Sequence, residues 1–404
     1  MKAGNREIFG VLVLAVWGTM SLSAQNLVPM QSQVIEHDKQ IPASAHPESF
    51  EQLAGRAQAA MSAERVPEAI RLYSRATKLR PNWTEGWWHL GTLLFDTGHF
   101  GEARDAFAQF VTVEKKQPGP GFAMLGLSEF QLQHYPKALA ALEHGRKLGL
   151  GIDPAFIHSV LYYDGILNNL LGQPEVAIQR LTLIANQLAA AHPDAPKDAV
   201  FSDLELLNAF GMAALRIAKL PSDIPATQAS LVRSAGHAQA LIALQDRVAA
   251  ESELRQLLAL YPSEPGMHYM YGVFLLKEHP PLAIDEFRRE IEISPSHEAA
   301  RIQLAFQFLN AADYEQGLKY SREAVAFAPG NFVAHIVCGR LWLALDNADR
   351  AVEELRVAVK LAPGSPDAHF ALSRALLKAG KDAEAARERA QFEHLKTLAD
   401  AAEQ

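Results

Sequence analysis

Three histidines and one arginine recur at a nearly constant interval in the C-terminal part of the chain. His268, Arg301, His335 and His369 are separated by 33, 34 and 34 residues. Packed helices lie roughly 8–10 Å apart, whereas a zinc ion needs nitrogen ligands about 2 Å away. A single metal ion therefore cannot be shared along this file. We expect these four side chains to be partly exposed helix residues at a seam between repeats.

Motifs for catalysis and metal binding are missing elsewhere in the sequence. The fifteen histidines and the one cysteine form no His-Glu-x-x-His and no paired Cys-x-x-Cys, and there is no Asp-rich calcium loop. The nucleophile motif Gly-x-Ser-x-Gly and the glycine-rich phosphate-binding loops are also absent. We therefore expect no catalytic residue, no bound metal and no cofactor, and we predict that the protein is not an enzyme.

Two series of residues recur with a period of 34 and indicate the elements that carry these side chains. One is a proline that closes an apolar run, and the other is a small residue. Their members are Pro295, Pro329 and Pro363, and Ala283, Gly317, Ala351 and Ala385. Proline ends a helix, and only a small residue lets two helices cross at about 8–10 Å. The spacing predicts repeats of a first helix, a turn and a second helix.

The stretch that begins at Thr84 resembles the tetratricopeptide repeat. The pattern of that family is W-x2-L-G-x2-Y, then A-x3-F, then P. The positions that match it are Trp87, Leu90, Gly91, Ala103 and Phe107, whereas Leu94 stands in place of the tyrosine and Lys115 in place of the proline. The resemblance implies an all-α fold, a right-handed superhelical solenoid of antiparallel helix hairpins.

Repeats of this kind account for most of the chain. We predict tetratricopeptide-like repeats at 50–191 and 231–404, with a capping helix at the C-terminal end. Between them, 192–230 reads as an irregular repeat with an inserted loop, in which Phe210-Gly211 resembles the Leu-Gly of a first helix. Each repeat contacts only its neighbours, so one long array of eight or nine hairpins is consistent with 404 residues.

The composition and the N-terminus indicate an exported, folded protein. The chain is 49% hydrophobic and 21% charged, and its net charge of −8 excludes the basic footprint of a nucleic-acid-binding protein. Lys2 and Arg6 precede the short apolar run 8–17 and the small residue Ala24. This order predicts a signal peptide at 1–24, followed by a flexible linker at 25–49 and a periplasmic or extracellular location. An uncleaved N-terminal anchor is the alternative, and we expect no stable membrane insertion after cleavage.

The resemblance also implies where a partner binds. In this family the first helices line a concave groove that takes a protein or peptide, and the groove positions follow the Trp and Gly slots. Carried over by position, the groove residues are Trp88, Thr92, Phe95, Phe122, Phe130, Tyr162, Ile166, Tyr269, Ile302, Phe306, Arg340, Phe370 and Arg374. Exposed aromatic clusters are typical of interaction sites, with Trp88, Tyr162 and Tyr269 as the expected anchors. The alternative is that several of these side chains bury as ordinary core.

Two functions fit this surface. The first is a non-catalytic scaffold that binds another protein or peptide in the cell envelope. The second is an envelope glycan-binding protein or enzyme, because aromatic rings also stack on sugars. Sugar sites need many convergent polar groups, and in the predicted groove these are mainly Arg340 and Arg374. The sequence therefore favours the scaffold.

Overall fold

The computed structural model describes residues 48–403. The predicted signal peptide, 1–24, and the predicted linker as far as residue 47 lie outside this part of the chain. The described residues group into two compact units, 48–246 and 247–403. Neither unit contains a strand, and no helix of the described residues is long and apolar enough to cross a membrane.

Within 48–246, called unit 1, the chain folds into eleven α-helices and a 3-10 helix at Pro221–Asp223. The α-helices are α1 (Phe50–Ser62), α2 (Val66–Leu79), α3 (Thr84–Asp96), α4 (Phe100–Val113), α5 (Gly119–Gln131), α6 (Tyr135–Lys147), α7 (Pro154–Leu170), α8 (Pro174–Ala191), α9 (Pro196–Phe201), α10 (Leu204–Ala214) and α11 (Ala226–Ala243). The first eight pack as four consecutive hairpins, each of which also contacts the next.

Within 247–403, called unit 2, nine α-helices follow. They are α12 (Arg247–Leu260), α13 (Met267–Leu275), α14 (Pro280–Ile293), α15 (Glu298–Asn310), α16 (Tyr314–Phe327), α17 (Phe332–Ala344), α18 (Ala348–Leu361), α19 (Pro366–Lys378) and α20 (Asp382–Glu403). From α13 onward they form four hairpins, and the first helices α15, α17 and α19 also touch one another in order. The predicted fold class, an all-α solenoid of antiparallel helix hairpins, is confirmed.

Most first helices end in the same backbone turn. Two residues after the helix, one residue takes a positive φ and the chain reverses into the second helix. In α17 the N–H of Asp346 donates to the oxygen of Leu343, and the N–H of Asn347 donates to that of Trp342. These two bonds satisfy carbonyls that a helix end leaves free. The positive-φ residues are Glu64, Gly98, Gln133, Gly172, Arg216, Gln245, Ala312, Asp346 and Gly380.

A small buried residue lies seven positions before the positive-φ residue of each of these turns, and we call its position the small slot. The set is Ala57, Gly91, Gly126, Gly165, Ala209, Ala238, Ala305, Gly339 and Ser373. At Gly339 an added Cβ would lie 2.5 Å from Cγ of Leu355 on the second helix, closer than atoms can approach. The predicted role of the small residue, to allow close crossing of the two helices, follows directly from this contact.

The irregular region departs from this scheme after α10. That helix ends in the usual turn, at Arg216, but no second helix follows directly. The chain instead passes through the 3-10 helix and enters α11, which packs on α10. Because Ala209 lies seven residues before Arg216, it fills the small slot of α10. The sequence had placed Gly211 there, two residues further along the helix. The proposed boundaries at 191 and 230 remain predictions.

Gly211 and Gly236 let α10 and α11 meet backbone to backbone. A Cβ on Gly236 would lie 1.8 Å from the carbonyl oxygen of Leu207, and one on Gly211 would lie 1.8 Å from that of Val232. A backbone carbonyl cannot rotate away as a side chain can. Any side chain at either position must therefore separate the two helices.

Gly236→Ala should lower the free energy of unfolding by about 3 kcal/mol, because the helices must move apart to admit the methyl group. The matched control is Gly55→Ala, in the middle of α1, where an added Cβ meets nothing within 4 Å. That change should raise stability by about 0.5–1 kcal/mol, since alanine favours helix over glycine. Urea unfolding followed by circular dichroism measures both. Equal effects of the two substitutions would contradict the backbone contact.

Candidate functional site

The recurring histidines of unit 2 are buried hydrogen-bonding residues. In each case Nδ1 lies 2.6–2.7 Å from a glutamate oxygen on the second helix of the same hairpin, and Nε2 lies 2.9–3.0 Å from a proline carbonyl oxygen in the turn before the first helix. The groups are His268 with Glu286 and Pro262, His335 with Glu354 and Pro329, and His369 with Glu388 and Pro363. Each histidine thus ties two helices to the preceding turn.

Other residue types do the same work at the same helix position. Trp87 donates its indole N–H to the carbonyl oxygen of Pro81 at 2.8 Å. Arg301 donates to Glu323 at 3.0 Å and to the carbonyl oxygen of His297 at 3.3 Å. The helices α3, α13, α15, α17 and α19 thus carry an N–H donor at this slot, whereas α5 carries Phe122 there.

The burial of the four residues corrects the expectation from the sequence. His268, Arg301, His335 and His369 are only 5–8% exposed, so the expectation that they are partly exposed is wrong. A buried polar group needs partners, and each of these has them. Among the described residues, no group of three or more His, Cys, Asp and Glu is placed to hold a metal ion. The four residues therefore stabilise the packing of the helices in their hairpins.

A stripe of three positions runs along each of the first helices α15, α17 and α19, and we call it the first-helix face. It comprises the residues three before, one after and four after the small slot, at i, i+4 and i+7, which share one side of a helix. In α15, α17 and α19 these are Ile302, Phe306 and Leu309, Ile336, Arg340 and Leu343, and Phe370, Arg374 and Leu377. Because these three helices touch one another, the stripes lie side by side.

The predicted site residues of unit 2 differ in their access to solvent. Arg340, Arg374 and Phe370 are exposed, the last by 38%, and Phe306 is half-buried. Tyr269 is only 7% exposed, against Phe287 and His297, and Ile302 is 6% exposed. The predicted anchor Tyr269 therefore lies in the core of the unit, where a partner cannot reach it.

The predicted aromatic residues of α3 pack mainly within unit 1. Trp88 is half-buried, with its ring 5.8 Å from that of Phe107 and 5.3 Å from that of Phe110. Phe95 is 7% exposed and lies against Phe100. Thr92, between them on the helix, donates its hydroxyl to the carbonyl oxygen of His89.

The remaining predicted residues of unit 1 lie on α5 and α7. Phe122 occupies the slot of Trp87, one residue before a groove position, and its ring lies 4.4 Å from that of His144. Phe130 packs against Tyr135 and Tyr163. Tyr162 lies 5.5 Å from Tyr163, and burial raises the pKa of the Tyr162 phenol. Ile166 is 5% exposed. These side chains form partly covered aromatic packing between neighbouring helices.

Comparison with known families accounts for this arrangement. Three stretches of the chain, 54–120, 236–298 and 337–391, match the sequence model of the tetratricopeptide repeat. The chain contains tetratricopeptide repeats. MamA from Desulfovibrio magneticus RS-1 matches with 19% identity over 41% of this chain and 94% of that one, at a TM-score of 0.38. A second MamA structure matches with 14% identity over 41% and 96%, at a TM-score of 0.37. No curated protein matches the sequence.

Sequence reasoning missed the aliphatic residues of the first-helix face. Leu309 and Leu343 are half-buried and Leu377 is 62% exposed, at the position four after the small slot. They are spaced by one repeat, 34 residues, and this spacing could have identified them from the sequence. Together with Phe306 and Phe370 they make the face apolar with two arginines set into it.

Sequence reasoning also missed a buried aspartate in the fourth tetratricopeptide repeat hairpin of unit 1. Asp164 is fully buried at the slot that Leu90 fills in the second hairpin. Nε of Arg146 on α6 and Nε of Arg180 on α8 each lie 3.3 Å from its carboxylate. Burial raises the pKa of Asp164, and the two guanidinium groups oppose that shift. Because the arginines come from two different second helices, the aspartate links adjacent hairpins.

His268 should make the stability of unit 2 depend on pH. Its hydrogen bond to the Glu286 carboxylate raises the pKa of the imidazole, and Glu290 acts in the same direction. A pKa that folding raises adds stability below the unfolded value, about 6.5, and that stability is lost as the pH rises through the folded value. His268→Gln should therefore cost about 1–3 kcal/mol at pH 6 and less at pH 8.5.

Urea unfolding at the two pH values measures this difference. Arg289, which pairs with Glu286, is kept in all variants. The matched control is His394→Gln, an exposed histidine of α20 in the same unit, which should change stability by less than about 0.5 kcal/mol at either pH. A cost for His268→Gln that grows toward alkaline pH would contradict the assigned hydrogen bond.

Proposed function

We propose that this tetratricopeptide repeat protein is a non-catalytic scaffold that binds a protein or peptide partner on the first-helix face of unit 2. The observation that carries the proposal is a set of apolar side chains in register on adjacent helices, exposed on α19 and half-buried at Phe306, Leu309 and Leu343. Leu377 is 62% and Phe370 38% exposed, and they occupy the same helix positions as Leu309 and Ile302 two repeats earlier. Apolar side chains that cluster on a surface favour interaction with another protein.

The choice of unit 2 rests on what the folded chain leaves open. In unit 1 the rings of Trp88 and Phe95 are packed against neighbouring aromatics of the same unit. In unit 2 Arg340 and Arg374 extend into solvent beside the leucines. Arginine and aromatic side chains are enriched among residues that dominate binding energy. No observation on the described residues favours the alternative of a glycan-binding protein or enzyme.

We further propose that the protein acts outside the cytoplasm, because residues 1–24 have the order of parts of a signal peptide. The mature chain should begin at Gln25, after cleavage at Ala24. Edman sequencing of the protein recovered from periplasm or medium tests this. Recovery from cytosol alone, or a chain that still begins at Met1, would contradict export.

A photo-crosslinking amino acid placed at position 377 should capture a partner of discrete mass in an envelope extract, because Leu377 is the most exposed apolar residue of the face. The matched control places the same group at Leu282, which is 52% exposed on the second helix α14. The adduct should form at 377 and be absent at 282, as read by immunoblot and mass spectrometry. The same adduct at both positions, or at 282 alone, would assign the binding surface elsewhere.

A further inference from the structure

We infer that the segment bound by the first-helix face is an acidic peptide with aliphatic side chains, whose carboxylates pair with Arg340 and Arg374; this rests on the proposed function. The two arginines hold equivalent positions, one residue after the small slot, on the adjacent helices α17 and α19. Both are exposed, and among the described residues neither forms an ion pair. The guanidinium of Arg340 lies 5.8 Å from the ring centre of Phe306.

The other cations on these helices are occupied within the protein. Arg301 of α15 is buried and pairs with Glu323 at 3.0 Å. Lys378, the last residue of α19, pairs with Asp346 at 2.8 Å. Arg340 and Arg374 thus keep their full hydrogen-bonding capacity for a ligand. A guanidinium presents paired N–H groups that match the two oxygens of a carboxylate.

The charge around the two arginines favours an anionic ligand. On α15, α17 and α19 the only carboxylates are Glu298 and Asp367, and both lie in the first turn of their helix. The face is therefore positive on α17 and α19, whereas the whole chain carries a net charge of −8. A partner that is acidic is attracted to this strip and repelled by the acidic remainder of the surface. Such contrast supports specificity and a fast approach.

The spacing of the arginines sets the form of the ligand. Adjacent packed helices lie about 8–10 Å apart, so equivalent residues on α17 and α19 are separated by roughly that distance. An extended peptide rises about 3.3 Å per residue, and residues two or four apart point to the same side, about 7 or 13 Å apart. Long arginine side chains reach either spacing. The half-buried Leu343 and the exposed Leu377 flank the arginines and provide an apolar surface for the side chains between.

A library of random twelve-residue peptides displayed on phage, selected on the immobilised chain 25–404, tests the inference. The enriched peptides should carry Asp or Glu at a spacing of two or four, with Leu, Ile or Val between. When the variant that combines Arg340→Glu and Arg374→Glu is used for the selection, the enriched peptides should carry Lys and Arg instead. The binding of a wild-type-selected acidic peptide, measured by fluorescence anisotropy, should fall at least about tenfold, the effect of losing about 1.4 kcal/mol.

The matched control combines Arg322→Glu and Arg389→Glu, two exposed arginines on the second helices α16 and α20. It makes the same change in net charge and should keep the acidic preference. Circular dichroism melting curves confirm that each variant is folded. Because the pairs are exposed to water, the wild-type affinity should also decrease as salt is raised.

Other results would overturn the inference. The inference is overturned if the enriched peptides lack acidic residues. It is also overturned if the two double variants lower the affinity for the acidic peptide equally. If Leu377→Asp abolishes binding but the reversal of Arg340 and Arg374 does not, the proposed interaction function stands and the acidic partner is rejected. If no peptide is enriched and position 377 also captures no partner, both proposals are rejected.

Discussion

The close crossing of each first helix with its neighbour is the constraint on which the structure depends. A residue with at most a small side chain lies seven positions before the reversing turn, and at Gly339 even one added carbon would collide with Leu355. That distance links the crossing point to the turn, so the hairpins that have this turn share it at a fixed distance from the small residue. Between α10 and α11 the constraint is strictest, because the glycines meet carbonyl oxygens of the backbone. The same crossing then orients all other positions of the first helix.

Given that orientation, one side of each first helix faces the turn before it. In α3 and in the first helices α13, α15, α17 and α19, the slot four before the small residue carries a donor that reaches a carbonyl oxygen, as Trp87, His335 and Arg301 do in their different ways. Tryptophan, histidine and arginine each supply an N–H donor to such a carbonyl oxygen. The histidines add a second bond to a glutamate of the second helix. In unit 2 the bonds of His268, His335 and His369 therefore connect each of these hairpins to the turn that precedes it.

The same geometry leaves a partner only part of the first-helix surface. On α15 and α17 the residues three before the small slot are covered, so Ile302 and Ile336 are each 6% exposed, whereas Phe370 on α19 is 38% exposed. Positions one and four after the slot point outward, and they carry Phe306, Arg340 and Leu377. The surface available for binding is thus narrower and more aliphatic than a list of groove positions implies. Its chemistry is set by residues with no packing duty, which are free to suit a ligand.

The sequence by itself determined the hairpins, because their signals are local: the proline that stops a helix, the small residue at a crossing and the period of 34 all act within one or two repeats. It also indicated Arg340, Phe370 and Arg374 as surface residues. The tertiary structure alone decided burial. Phe95 and Tyr269 occupy the same helix positions as exposed residues of other repeats, but they lie in the core. His268, His335 and His369 are buried as well. The reason is that the neighbouring helices cover different parts of each first helix. Burial is a property of the contacts between helices, and a repeating pattern along one helix does not contain it.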